Sequence, residues 1–132
     1  MSTRIFVNLP VKDLDRSMAF YERLDFEPDL RFTNDSSACL EIADGLYLML
    51  LTEARFRERI GGPSCDAQRS SEVLVSLALD SHQEVDDLLN KAVAAGARVH
   101  GEPQDHDFLH ARTFRDPDGH LWELVHQYPD VV

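Results

Sequence analysis

The sequence predicts an α+β fold in which two βαβββ modules pair into a curved mixed sheet around a cleft, with the helices on the outside. Three observations carry this expectation. The order strand, helix, three strands can be read twice along the 132 residues. A residue suited to capping precedes each helix, Asp13 in the first copy and Ser81 in the second. An Asp-Gly turn, Asp44-Gly45 or Asp118-Gly119, precedes the last strand of each copy.

Arg4–Val11 (RIFVNLPV) reads as the first strand, rich in β-formers and closed by Pro10. The helix after Asp13 carries Leu14, Met18, Tyr21 and Leu24 on one face and turns Asp15, Arg16, Glu22 and Arg23 outward. It ends near Asp25, since Asp tolerates a left-handed backbone better than most residues. Strands follow at Glu27–Phe32, Ala38–Ile42 and Tyr47–Leu51, separated by Asn34-Asp35-Ser36 and Asp44-Gly45. A short helix covers Glu53–Ile60 and stops at Gly61-Gly62-Pro63.

The small polar stretch Pro63–Ser71 reads as a linker, and the pattern then restarts. Glu72–Leu79 is a strand, and Ser81 with Glu84 forms a capping box. The next helix buries Val85, Leu88, Leu89, Ala92 and Val93 and ends at Gly96. Arg98–His100, Leu109–Phe114 and Leu121–His126 are the closing strands, with GEPQDH as a loop and Asp116–Gly119 as a turn. The copies align with Phe6 over Leu74, 68 residues apart, and Gly45 over Gly119, 74 apart. The expected organisation is one domain over 1–132, with module one at 4–60, a linker at 61–71 and module two at 72–128.

Charge narrows the function classes. The formal net charge is −11, which opposes nucleic acid and anionic membrane surfaces as partners. No apolar run approaches the roughly 20 residues of a membrane helix, and Met1–Val7 has no signal-peptide pattern, so a cytoplasmic location is expected. Cys39 and Cys65 form neither a CxxC pair nor a disulfide framework. His106 and His110 have a metal-like spacing, but a loop setting removes the helical argument for a metal. His106, Phe108, His110 and Arg112 are instead expected at a substrate-facing edge, where Arg112 could neutralise an anionic ligand.

The duplicated order, with VKDLDRSMAFYERLDF after the first strand and FRDPDGHLWEL near the end, resembles the vicinal-oxygen-chelate superfamily. That group contains glyoxalase I, extradiol dioxygenases, and fosfomycin- and bleomycin-resistance proteins. The resemblance runs from Arg4 to Gln127 and is most specific in Val11–Phe26 and Arg115–Leu124. It implies that metal-dependent members hold a divalent ion with four inward His, Glu or Gln side chains. Position by position these fall on Phe6, Met49, Leu74 and Glu123, of which Glu123 alone is a ligand type.

The resemblance therefore implies no standard metal site and no cofactor in this chain. It implies a small-molecule ligand and a homodimer, as in the bleomycin-resistance branch. Phe6, Met49 and Leu74 would supply apolar contact, with Asn8, Ser76 and Arg112 as polar groups. Glu123, surrounded by those apolar residues, would be a base or a hydrogen-bond anchor. Two alternatives stay open: a metal-dependent lyase, isomerase or dioxygenase of the glyoxalase or extradiol type, and a metal-free acid–base enzyme using Glu123.

Overall fold

Ile5–Val11 forms β1, and its apolar alternation sends Leu9 and Val11 into the core. In the computed structural model, which describes residues 3–127, the chain divides into two compact units, 1–65 and 66–132. The first unit continues with α1 (Leu14–Glu22), β2 (Glu27–Pro28), β3 (Ser37–Ala43), β4 (Leu46–Thr52) and α2 (Glu53–Ile60). Its sheet has the order β1-β4-β3-β2, with β1 parallel to β4 and the other pairs antiparallel. The Asp13 side chain accepts from the backbone N–H of Arg16 at 3.0 Å and so starts α1. The chain leaves that helix through Asp25 at φ 68°, as its sequence position suggested.

Two expectations need correcting in this unit. Tyr21 and Leu24 are buried as expected, but Leu14 and Met18 are only half-buried, and Ser17 and Phe20 complete the buried side of α1. The helix is rotated because Phe20 and Tyr21 pack edge to face at 4.8 Å and together fill the space over β3 and β4. The segment Glu27–Phe32 is not one strand. Asp29 accepts from the N–H of Arg31 at 3.1 Å and turns Leu30–Phe32 into a single 3-10 turn.

The second unit contains β5 (Leu74–Ala78), α3 (His82–Ala94), β6 (Arg98–Val99), β7 (Gln104–His106), β8 (Leu109–Arg115) and β9 (Leu121–Gln127). Its sheet runs β5-β9-β8-β6, with β7 also paired to β8. The stretch expected as a loop thus contains a strand. β6 and β7 lie antiparallel to successive parts of β8, interrupted at Gly101–Pro103, where Gly101 has φ 70°. Ser81 caps α3 through the N–H of Glu84 at 3.1 Å, while the Glu84 carboxylate reaches back to the N–H of Asp80 at 2.8 Å. Val93, expected inside, is 44% exposed.

The segment before β5 is fastened to its own unit. Gln68 donates to the carbonyl of Pro117 at 3.1 Å and accepts from Arg98 at 2.8 Å. Arg115 donates to the carbonyls of Gly119 at 2.7 Å and Ala67 at 3.3 Å.

The two sheets repeat one register. Phe6 faces Tyr47 and Asn8 faces Met49; Leu74 faces Leu121 and Ser76 faces Glu123. On the other side Cys39 faces Met49, and Thr113 faces Glu123. Offsets of 68 for the first strand and 74 for the last two carry one set onto the other, residue by residue. The turn glycines correspond as well, Gly45 at φ 81° and Gly119 at φ 97°.

Candidate functional site

Because side chains alternate along a strand, cross-strand partners form rows on one face of a sheet. In the first unit one row is Phe6, Tyr47 and Glu41, and the next is Asn8, Met49 and Cys39. The Phe6 ring stacks on Tyr47, with centroids 4.7 Å apart and planes 12° from parallel. Phe32 meets Phe6 edge-on at 5.9 Å, and the Arg31 guanidinium lies 5.3 Å from the Phe32 ring centre. The 3-10 turn set by Asp29 delivers both residues there, and Asp29 holds Arg31 by an ion pair at 2.7 Å. That guanidinium keeps the Asp29 carboxyl below the usual carboxylate range.

Phe6 and Phe32 stay 36% and 39% exposed, so the cluster presents aromatic surface outward. Asn8 donates from Nδ2 to the carbonyl of Phe6 at 3.2 Å. Cys39 is fully buried in the neighbouring row. Burial first, and the nearby Asp29 charge second, push its thiol up to about 11. It is therefore an inert thiol at neutral pH.

In the second unit the matching rows are Leu74, Leu121 and Arg115, then Ser76, Glu123 and Thr113. Ser76 donates from Oγ to Glu123 Oε1 at 2.7 Å. Within its own sheet Glu123 thus stands between two hydroxyl residues, Ser76 and Thr113. The hydroxyl fixes one carboxylate oxygen and leaves acceptor capacity on the other.

His110 and Arg112 are not on that face. Thr113 shares the face of Glu123, so the residue before it points the other way, beside Leu124, and His110 lies beside His126. This is the face that α3 covers, and there His110 meets Asp86 of that helix at 3.0 Å. The structure therefore does not bring His110 and Arg112 together with Glu123. His106 is in β7 opposite Leu109, and Phe108, in the turn that follows, is 54% exposed. Leu74 is 48% exposed at the edge strand. Thr113 and Phe32 were not singled out in the sequence. The alignment offset of 74, applied to β3, would have pointed to Thr113.

A family model for the Glyoxalase/Bleomycin resistance protein/Dioxygenase superfamily matches residues 5–124. The chain belongs to this superfamily. Solved structures agree. A hypothetical protein, SA1046 from S. aureus, is 29% identical, with 95% of this chain and 94% of that one covered at a TM-score of 0.80. The bleomycin resistance determinant encoded on transposon Tn5 is 24% identical, with 96% and 99% covered and a TM-score of 0.67. The fosfomycin resistance protein FosX from Listeria monocytogenes is 22% identical, with 100% and 96% covered and a TM-score of 0.69. The last two show the shared fold. No curated protein matches the chain.

The residues at the superfamily's implied metal positions do not fit a divalent ion. Phe6 and Leu74 offer no donor atom, Met49 offers a weak thioether, and Glu123 is the single carboxylate. Among the described residues no group of three or more His, Cys, Asp or Glu is arranged to hold a metal ion. No described helix is long and apolar enough to cross a membrane.

Proposed function

We propose that this superfamily member binds a small apolar or aromatic molecule without the standard metal site. The observation that supports it is the Phe6–Tyr47 stack with Phe32 edge-on. The part-exposed Phe6 ring stands where the resemblance places a metal ligand, and Phe32 beside it is part-exposed as well. A flat ligand extends such a stack at little conformational cost. Asn8 and Met49, in the next row of the same sheet, belong to this proposed set; in the second unit Leu74 and, from the β7–β8 hairpin, His106 and Phe108 are proposed ligand contacts of their own. The Ser76–Glu123–Thr113 row supplies acceptors for a ligand N–H or O–H. His110 and Arg112 leave the set, being engaged with Asp86 and Asp105 on the helix-covered face.

Bleomycin, named in the Tn5 neighbour, and a panel of planar aromatic compounds are the probes. Calorimetric titration is expected to show saturable binding of at least one of them. Phe6→Ala should weaken it about tenfold, the loss of one ring contact with its buried area. Binding that ignores this substitution would reject the aromatic row as the site.

A second reading is favoured by the 2.7 Å Ser76–Glu123 bond, which orients the carboxylate as a metal-free acid–base group. On that reading Glu123→Gln keeps ligand affinity while turnover drops about 100-fold or more. Equal turnover by the variant would rule the role out. We further infer a homodimer in the cytoplasm. Exposed Ile5 on β1 and Leu74 on β5, both edge strands, support self-association. A monomer mass in sedimentation would contradict the dimer.

A further inference from the structure

β7 lies at the edge of its sheet, held by β8, which itself pairs with β9 along its full length. All three residues of β7 are exposed, and among the described residues its strand partner is β8. Yet one residue at its base, His110, is only 6% exposed. Its Nδ1 lies 2.7 Å from Asp105 Oδ1 in β7, and its Nε2 lies 3.0 Å from Asp86 Oδ1 in α3. The ring therefore bridges the hairpin and the helix.

The other charged and titratable groups around it are these. Arg112 of β8 donates to both oxygens of Asp105, at 3.0 and 3.3 Å, and its Nε is 4.0 Å from Asp86. His82 of α3 lies flat on the His110 ring, centroids 4.1 Å apart. His126 of β9 is the cross-strand neighbour of His110, stands edge-on to His82 at 5.6 Å, and has Nδ1 2.9 Å from the carbonyl of Leu79.

We propose that His110 is a proton-operated latch that fastens the β7 edge, through Asp105, to α3 and lets it go as pH rises. Ionised carboxylates only accept hydrogen bonds. An imidazole with protons on both nitrogens donates to both of them; with one proton it turns a lone pair toward one of them. The two arms are not equal. Asp105 keeps Arg112 as a partner in either state, whereas Asp86 has Arg112 only at 4.0 Å. The Asp86 arm, the one to the helix, is the arm that yields.

The sign of the pH effect follows. The double donation exists at the lower pH and is lost as pH rises and a proton leaves the ring. On the acid side, Arg112 first and His110 after it hold the Asp105 carboxyl below its ordinary value. Its contribution is thus present above the ordinary carboxylate pKa and lost as pH falls through the lowered one. The latch is closed between these two limits.

Amide hydrogen exchange on the whole chain tests this, across roughly pH 5 to 8, where imidazoles exchange their second proton. After correction for intrinsic rates, protection over residues 104–111 is expected to fall about tenfold with rising pH, the worth of one charge-assisted hydrogen bond. The β5–β9 amides should not follow. Asp86→Ala, a change at a half-exposed helix position, should lower β7 protection at pH 5 and abolish its pH response. In the native protein, 15N spectra of the imidazoles should show His110 losing a proton as the β7 edge opens. Uniform protection changes across both strand pairs, or a pH response that survives Asp86→Ala, would overturn the latch.

Discussion

Replacing Gly119 by alanine is expected to lower the stability of the second unit by about 3 kcal/mol or more. A Cβ at this position would stand 2.9 Å from Ala67 C, Ala67 O and Gln68 N. All three are backbone atoms, and their segment is tied down by Gln68 and Arg115. The backbone is also at φ 97°, which L side chains rarely adopt. Gly45 is the internal control. It has φ 81°, but the nearest atom to its added Cβ is Thr3 O at 3.7 Å, an ordinary contact. Gly45→Ala should therefore cost only about 1 kcal/mol, the backbone part alone. Denaturant unfolding followed by Trp122, the single tryptophan, reads the second unit, and circular dichroism reads both. Equal costs at the two glycines would show that the close approach of Ala67 is unimportant.

Asp116→Ala should cost about 2–4 kcal/mol, because two buried backbone N–H groups lose their acceptor. The Asp116 carboxylate is 1% exposed and accepts from Asp118 N at 3.0 Å and His120 N at 2.8 Å. Those bonds shape the turn that launches β9 and sets Glu123 in its row. Asp116→Asn keeps an acceptor and should cost clearly less in the same unfolding measurement. Because both positions act on one turn, the double change with Gly119→Ala should cost less than the sum. Strict additivity would mean that the two sites are independent.

Local rules read well from the sequence where one residue type answers one backbone demand. Asp13 and Ser81 cap their helices as their chemistry requires, and Gly45 and Gly119 take positive φ at the turns. The alignment of Phe6 with Leu74 and Met49 with Glu123 was also legible, since hydrophobic alternation fixes register. What stayed hidden depends on distant partners. β7 contains only polar residues, Gln104, Asp105 and His106, and follows Pro103; β8 makes it a strand. Leu30 and Phe32 alternate like a strand, yet the Asp29 side chain offers the backbone a closer acceptor.

The placing of His110 and Arg112 failed for a different reason. They were placed at a substrate-facing edge without following the alternation of their own strand, although Phe114, two positions beyond Arg112, stacks with Trp122 on the helix-covered face. Counting back from Phe114 would have put both beneath α3. Asp86, their partner on that helix, carries no signal of its own beside Val85. The aromatic row was half visible. Phe6 was singled out from the resemblance, whereas Tyr47 and Phe32 entered only as residues of the expected strands Tyr47–Leu51 and Glu27–Phe32.

The matched register has a consequence for how such a chain can grow. Between the first and last strands the second unit is six residues longer, since the offset rises from 68 to 74. The equivalent edge positions Glu27 and Arg98 are 71 apart, so three of the additions precede them and three follow. The first three fall in the helix connection, where 13 residues in α3 replace 9 in α1. The rest fall between His100 and Thr113, the stretch that contains β7, because the bond from His100 N–H to the Thr113 carbonyl matches that from Asp29 N–H to the Cys39 carbonyl. The six extra residues of the second unit are taken up by one near-complete helical turn and one edge excursion, while every central pairing keeps its equivalent partner. These two places are where the two units of this chain differ in length without disturbing a central strand pair, so they are where added residues cost the sheet least.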